Sequence, residues 1–318
     1  MSANSEVKVY LDKQEYGKKG VRLLKVYRDG NVHYAEEMVV RVLLSGPAFT
    51  TSYTEASNKA VVATDSIKNT IYVKAKFSKV VGTIELFAAE LGNHFLDQYS
   101  WVEAANVSIQ RLRWARMIVD GKPHPHSFWR DGTETRDTNV VVRRACPGKR
   151  SCFIKSAIND LLVMKTTGSS FEDFVTDEYR TLPDMKDRIM STSIDCKWDF
   201  LLPSNTPENL QIALDQIPFD AIFDSVRQVT CDTFAKDESA SVQATLYLMA
   251  EQTIKNWKWV EKVSYALPNK HYFPVDLSYF RGTKNLQEHA DVYQPIIDPA
   301  GYITAVVARS HAGPASKI

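Results

Sequence analysis

The sequence predicts an α+β chain in which an antiparallel sheet carries helices on one face, and it predicts this unit twice. Three observations lead there. Stretches of two-residue alternation are interrupted by stretches of three- and four-residue apolar spacing, the signatures of strand and helix. Both halves of the chain run strand-strand-helix-helix-strand-strand. A tripeptide also recurs: Trp101-Val102-Glu103 and Trp259-Val260-Glu261 each open a strand directly after a helix, 259 − 101 = 158 positions apart. This reading gives a first repeat over 1–148 and a second, with a C-terminal tail, over 149–318.

In chain order, Val21 to Arg28 and Val32 to Leu44 alternate as two strands joined by Asp29-Gly30-Asn31, whose residues tolerate positive φ and so suit a hairpin turn. The apolar run Val61-Val62-Ala63 then gives way to Thr64, Asp65 and Ser66, all good N-cap residues, and a helix follows to about Phe77 with Ile67, Ile71 and Ala75 on one face. A helix starting there aims unpaired N–H groups and its positive dipole end outward, which suits an anion as well as an ordinary cap. Thr83 to Tyr99 is a stronger helix, with Leu86, Phe87, Leu91 and Phe95 at helical spacing. Trp101 to Val119 alternates as a long strand, and a further arm passes through Val140, Val141 and Val142.

In the second half, Phe153 to Thr167 and Arg188 to Leu201 read as strands, with an irregular segment at Pro203 to Asn209. Ala213 to Phe234 and Ser239 to Trp257 read as helices, and Trp259 to Leu277 and Tyr302 to Ala308 as strands. A second local likeness, Ser66 to Tyr72 against Ser241 to Tyr247, lies at 241 − 66 = 175 and is out of register with the first. The 158 offset keeps each strand in place relative to its preceding helix. The other is therefore read as two helix starts of one chemical type. Sheets covered on one face leave edges exposed, and joining them edge to edge removes those edges, so an oligomer is expected.

A net charge of +1 gives no electrostatic footprint for nucleic acid or an anionic membrane surface, and no partner of either kind is expected. No apolar run of about 18 residues is present, and the first residues lack an apolar signal core. Cys146, Cys152, Cys196 and Cys231 form no C-x-x-C pair and read as free thiols, with a Cys146–Cys152 disulfide as the alternative. The tail Ser316-Lys317-Ile318 stands where a peroxisomal S-K-L address would stand.

Several motifs carry chemistry. Tyr16-Gly17-Lys18 places a lysine before the first strand, either a solvated charge or, if desolvated, a proton-transfer group. In Leu267-Pro268-Asn269-Lys270-His271-Tyr272-Phe273, alternation puts Asn269 and His271 on one face and Lys270 on the other. A carboxamide and an imidazole would then share one space, although these residues alone favour a structural histidine hydrogen-bonded in a core. Lys122-Pro123-His124-Pro125-His126 offers two imidazoles without a visible third ligand, and no metal is expected. Glycine-rich phosphate loops are absent, so no nucleotide cofactor is expected.

Taken in order, Tyr16-Gly17-Lys18, Val62 to Thr70, Gly121 to Phe128, Ser239 to Thr245 and Leu267 to Phe273 resemble urate oxidase, in its fungal branch, from about Tyr16 to Arg309. The departures are a longer N-terminal lead, the Pro203 to Asn209 segment and Ile318 in place of leucine, none of which touches a matched motif. The resemblance implies two tandem tunnelling-fold (T-fold) repeats assembled as a homotetrameric β-barrel, with active sites at subunit interfaces. It implies oxidation of urate by dioxygen and water to 5-hydroxyisourate and hydrogen peroxide, with no cofactor and no metal. By the same resemblance Phe171 stacks on urate, Arg188 grips one edge, and Gln243 pairs with the opposite edge, helped by the backbone N–H of Val242. Lys18, Thr64 and His271 form the proton relay; Asp65 donates its backbone N–H to urate, and Asn269 with Thr64 holds dioxygen. Peroxide release fits a peroxisomal setting. The alternatives are another T-fold enzyme, or a non-catalytic protein that binds a purine or pterin between subunits.

Overall fold

The computed structural model describes residues 7–200, 202–286 and 289–311. The Ser316-Lys317-Ile318 tail lies outside them. The first repeat comprises β1 (Tyr16–Asp29), β2 (Val32–Ser45), a 3-10 turn at Pro47–Phe49, α1 (Thr50–Thr54), α2 (Thr64–Phe77), α3 (Ile84–Gln98), β3 (Ala104–Val119) and β4 (Lys122–Arg144). The second comprises β5 (Arg150–Lys165), β6 (Met190–Phe200), α4 (Pro207–Asp215), α5 (Phe219–Lys236), α6 (Val242–Asn256), β7 (Val260–Pro274) and β8 (Tyr293–Ala308). Strands hydrogen-bond in chain order, β1-β2-β3-β4 and β5-β6-β7-β8. The β1–β2, β2–β3, β6–β7 and β7–β8 pairs are antiparallel.

Two compact units emerge. One gathers the chain through Phe128 with Thr138–Ile154 and Leu202–Ile217; the other gathers Trp129–Asp137, Lys155–Leu201 and the chain from Pro218 onward. They are discontinuous in sequence because the long strands β4 and β5 contribute residues to both and because Leu202–Ile217, with α4, belongs to the first.

In the first unit, alternate residues Val40, Val42 and Leu44 of β2 and Val107 and Ile109 of β3 are buried beneath Ile67 and Ile71 of α2 and Phe87, Leu91 and Phe95 of α3. Each such side chain contributes about 1.5–3 kcal/mol on leaving water. Gly92 lets α3 lie close to the sheet, since a Cβ there would come within 2.7 Å of the Val142 Cγ2 methyl. Lys25 of β1 donates to the carbonyls of Ala75 and Lys76 at 2.7 and 2.9 Å and so closes the C-terminal turn of α2. In the second unit, Ile194 and Trp198 of β6 and Val263, Tyr265 and Leu267 of β7 are buried, as are Ile222 and Val226 of α5 and Leu246 and Met249 of α6.

The repeat is written in hydrogen bonds as well as in element order. Arg144 donates to the carbonyls of Leu96, Tyr99 and Val102 at the end of α3, and Arg309 to those of Ile254, Trp257 and Val260 at the end of α6. The acceptors in each pair differ by 158, as 254 − 96, 257 − 99 and 260 − 102. The backbone N–H of Arg144 bonds the Glu103 carbonyl and that of Arg309 the Glu261 carbonyl, both at 2.8 Å, again 158 apart. The offset read from the tryptophan tripeptides therefore equates α3 with α6. The Ser66 and Ser241 likeness joins α2 to α6, which are not equivalent elements.

Three expectations are corrected. Thr64, Asp65 and Ser66 do not cap α2: Ala63 is the N-cap, with no side-chain cap bond, and Thr64 is the first helical residue. The expected helix from Ala213 to Phe234 is two helices, because Pro218 lacks an N–H and stands as the N-cap of α5. The segment from Pro203 to Asn209 is irregular only up to Thr206, whose hydroxyl accepts the Asn209 N–H at 3.3 Å with Pro207 opening α4.

Candidate active site

The candidate residues fall into two sets, one in each unit. In the first unit, β1 opens at Tyr16, and Tyr16, Gly17 and Lys18 pair with Leu44, Leu43 and Val42. Gly17 is required by the close approach of the strands, since a Cβ there would lie 1.9 Å from the Val42 carbonyl oxygen. After Lys18 the register shifts before Val21, with Gly20 at φ +72° inside the irregularity. The half-buried lysine thus sits at the mouth of a bulge rather than within a regular ladder.

The segment leading to Thr64 is pinned at two points. The Tyr16 hydroxyl accepts the Val62 N–H at 2.7 Å, and Trp101 Nε1 donates to the Ala60 carbonyl at 2.9 Å. The Tyr16 ring stands edge-on to buried Phe49, with centroids 4.8 Å apart. Burial raises the Tyr16 pKa and keeps the phenol neutral. Thr64 therefore begins α2 with its hydroxyl outside any capping bond and with first-turn N–H groups, Asp65's included, outside the helix ladder.

The Asp65 carboxylate turns away from this work. It accepts from Lys68 Nζ at 2.6 Å and Asn69 Nδ2 at 2.9 Å. Its pKa is lowered by the Lys68 hydrogen bond first and then by the Lys68 charge, with a smaller pull from Lys18. That last influence puts the Lys18 ammonium within electrostatic reach of the α2 start.

In the second unit, a web of main-chain bonds gathers three distant stretches. Ser169 and Ser239 form a parallel bridge, with Ser170 N–H donating to the Ser239 carbonyl at 2.9 Å and Ser239 N–H to the Gly168 carbonyl at 3.1 Å. Arg188 N–H donates to the Ser169 carbonyl at 2.8 Å, while the Asp187 carboxylate accepts from the Thr167 hydroxyl at 2.6 Å and the Gly168 N–H at 2.9 Å. These bonds hold the Asp187 carboxyl below the usual carboxylate range, the Thr167 hydroxyl foremost.

The Arg188 guanidinium carbon then lies 4.9 Å from the centre of the Phe171 ring. A half-buried planar cation beside an aromatic ring is a frame for a flat anion. Ser241 caps α6 by accepting the Ala244 N–H at 3.1 Å, which makes Val242 and Gln243 its first two residues. The Val242 N–H is consequently a free first-turn donor and the Gln243 side chain is exposed beside it.

On β7, Asn269 lies opposite Thr192 and Lys270 opposite Ser191 in an antiparallel register with β6. Against β8 the register breaks between Asn269 and His271. The His271 pKa is lowered, first by burial and then by the positive charge of Arg188. Arg188 thus stands beside Phe171 and within electrostatic reach of His271.

Tyr16 and Asp187 have no role by sequence alone, yet Tyr16 holds the Val62 N–H two residues before Thr64, and Asp187 holds the Thr167–Ser169 turn on which the Arg188 N–H bonds. Only their adjacency to Lys18 and Arg188 hinted at this. His124 and His126 stand with ring centres 4.6 Å apart, and His33 lies 5.7 Å from His126. Among the described residues no group of three or more His, Cys, Asp or Glu side chains is placed to hold a metal ion, and no helix is long and apolar enough to cross a membrane. The four cysteines are unpaired; burial pushes the Cys152 and Cys196 thiols up to about 12.

The sequence profile of the family described as Uricase matches residues 14–141 and 154–304. The chain is 47% identical to the uricase of Aspergillus flavus over 298 residues, covering 93% of this chain and 95% of that one. It is 43% identical to the uricase of Schizosaccharomyces pombe, covering 94% and 98%. The crystal structure of the Arthrobacter globiformis uricase superposes with a TM-score of 0.81 at 32% identity, over 96% of this chain and 98% of that one. Two tandem repeats, a family match in each and this level of identity lead to one conclusion: the chain belongs to the uricase family.

Proposed function

We propose that the chain oxidises urate with dioxygen and water to 5-hydroxyisourate and hydrogen peroxide, using neither metal nor organic cofactor. The observation that carries this reading is the Arg188–Phe171 pair, 4.9 Å from guanidinium carbon to ring centre, beside the capped start of α6. Urate is flat, anionic and edged with carbonyl and N–H groups. Phe171 supplies a stacking surface, Arg188 a two-pronged donor, Gln243 an amide able to give and accept, and Val242 a backbone N–H. Oxidation removes two electrons from the deprotonated purine and places them on dioxygen, which leaves as peroxide after gaining two protons; water supplies the hydroxyl on the product.

Moving those protons is the work of Lys18, Thr64 and His271. Lys18 polarises the Thr64 hydroxyl, which takes a proton from urate, and a neutral His271 completes the path. The lowered pKa of His271 supports a neutral ring. Asn269 and Thr64 hold dioxygen, and then peroxide or water, over the purine, and the Asp65 N–H donates to urate. The Lys18 and Thr64 set comes to the Phe171 and Arg188 set from a neighbouring subunit of a homotetramer, so a dissociated monomer is inactive. Peroxide release and the Ser316-Lys317-Ile318 tail support a peroxisomal location.

The test mixes purified protein with urate in air and follows urate absorbance, oxygen uptake and peroxide, with and without a chelator. One oxygen consumed and one peroxide formed per urate, unchanged by the chelator, is expected. No urate loss would refute the reaction, and loss abolished by the chelator would refute the metal-free mechanism. Fusing the tail to a fluorescent reporter tests its address: diffuse cytosolic signal would refute it.

A further inference from the structure

Between Phe171 and Arg188 the chain forms a loop whose internal contacts the urate-binding residues leave unused. Its neck is closed by the antiparallel pairing of Phe171 with Met185, whose N–H groups donate to each other's carbonyls at 2.7 and 2.9 Å. Just inside the neck, Asp173 takes a left-handed φ of 56°, which turns the chain back on itself. The next residue, Phe174, then lies nearly parallel to Phe171, with ring centres 4.4 Å apart and 13° between planes. The Arg180 guanidinium carbon caps this pair 4.3 Å from the Phe174 centre.

Arg180 is itself held on three sides. It donates to the Leu182 carbonyl at 2.8 Å, the Thr176 hydroxyl at 2.7 Å and the Asp184 carboxylate at 2.8 Å. The order Arg180, Phe174, Phe171 is therefore a stack with one end fixed by hydrogen bonds and the other anchored by the Phe171 main-chain pairing. An aromatic ring has two faces. With Phe174 against one of them, that face is closed to a flat ligand, and the tilt of Phe171 is no longer free.

We propose that Phe174 is a positioning residue for the substrate: by stacking behind Phe171 and being clamped by Arg180, it sets the plane on which the purine lies. The proposal rests on Phe171 being the stacking surface. Phe174 does not touch the purine, so its removal weakens urate binding without removing a group from the proton path. An ordered ring costs a ligand less entropy on stacking than one that must be fixed at the moment of binding.

The experiment measures urate affinity calorimetrically under nitrogen, where no turnover occurs, together with KM and kcat in air, for Phe174→Ala, Phe174→Leu, Phe174→Tyr and Phe171→Ala. Phe174→Ala is expected to raise the urate Kd and KM roughly five- to tenfold, the worth of one aromatic stacking contact, with a much smaller change in kcat. Phe174→Tyr, which keeps the ring, is expected to restore binding, and Phe174→Leu, which keeps only the apolar bulk, to bind more weakly than the wild type. Wild-type affinity in Phe174→Ala, or in Phe174→Leu should the alanine variant not fold, would overturn the proposal. Tighter binding would overturn it too, since Phe174 would then be occupying the ligand's own place. So would failure of Phe174→Tyr to restore binding. Phe171→Ala separates the two levels: weak binding there beside wild-type binding in the Phe174 variants removes the positioning role alone, whereas wild-type binding in Phe171→Ala removes the stacking surface itself.

Discussion

The Tyr16 hydroxyl accepts the Val62 N–H at 2.7 Å, and this one bond ties the strand that carries Lys18 to the segment that delivers Thr64. Lys18 is two residues beyond the tyrosine and Thr64 two beyond the valine. A contact near buried Phe49 thus helps to set the spacing of the two proposed relay residues.

Tyr16→Phe keeps the ring against Phe49 and removes only the acceptor. The orphaned Val62 N–H costs about 1–3 kcal/mol of local order, and a misplaced relay lowers turnover by roughly ten- to a hundredfold. Steady-state kcat at saturating urate, beside the melting temperature, checks this. A wild-type kcat would mean that the bond spaces nothing of catalytic use.

Thr64→Ala and Lys18→Met test the relay itself. The Thr64 hydroxyl makes no capping bond, so its loss leaves the fold within about 0.5 kcal/mol, while turnover falls by roughly 10²–10⁴ in either variant. Single-turnover urate oxidation and light scattering of the assembly measure the two effects separately. Undiminished turnover in either variant would remove that residue from the relay.

His271 gives a pH signature. Burial first, and the Arg188 charge second, lower its pKa below the ordinary 6.5. In the window between the lowered folded value and the unfolded value, the unfolded chain binds more proton. The stability this group contributes is therefore full above the unfolded value and is lost as pH falls through the folded one. Activity that needs the neutral ring should persist below the pH at which a free histidine would protonate. Arg188→Gln removes the second cause and leaves burial, so the His271 titration followed by imidazole NMR should move upward but stay below the ordinary value. An unmoved titration would show that the Arg188 charge does not reach the ring.

Much of this was legible in the sequence because it is periodic or local. The 158 offset of the two tryptophan tripeptides recurs in the carbonyls that Arg144 and Arg309 bond, although the arginines themselves stand 309 − 144 = 165 apart. Alternation alone put Asn269 and His271 on one face; the β6–β7 register sets Asn269 opposite Thr192, and against β8 the register shifts before His271. What failed was chemistry with several candidates in a row. Thr64, Asp65 and Ser66 each favour an N-cap, yet the Tyr16 and Trp101 anchors set the chain so that Ala63 takes that position. The Arg180–Phe174–Phe171 stack was not legible, because the segment carries no sustained helical or strand period; the left-handed turn at Asp173 is what brings Phe174 back onto Phe171.

Arg188→Lys tests whether shape or charge matters at the substrate's edge. The main chain of Arg188 is held by its N–H on the Ser169 carbonyl, and Asp187 is held by Thr167 and Gly168, so the substitution leaves the backbone where it is. What changes is the head group. A guanidinium offers two parallel N–H donors in one plane, matched to adjacent acceptors on a flat ring, whereas an ammonium offers a point charge on a stem of different reach. Losing one charge-assisted bond of about 1.5–3 kcal/mol should raise the urate Kd by roughly ten- to a hundredfold at unchanged melting temperature. The lysine still supplies a positive charge near His271, so the histidine titration should shift less than in Arg188→Gln. Wild-type urate affinity in Arg188→Lys would mean that the arginine serves the fold through its stacking on Phe171 and does not grip the substrate.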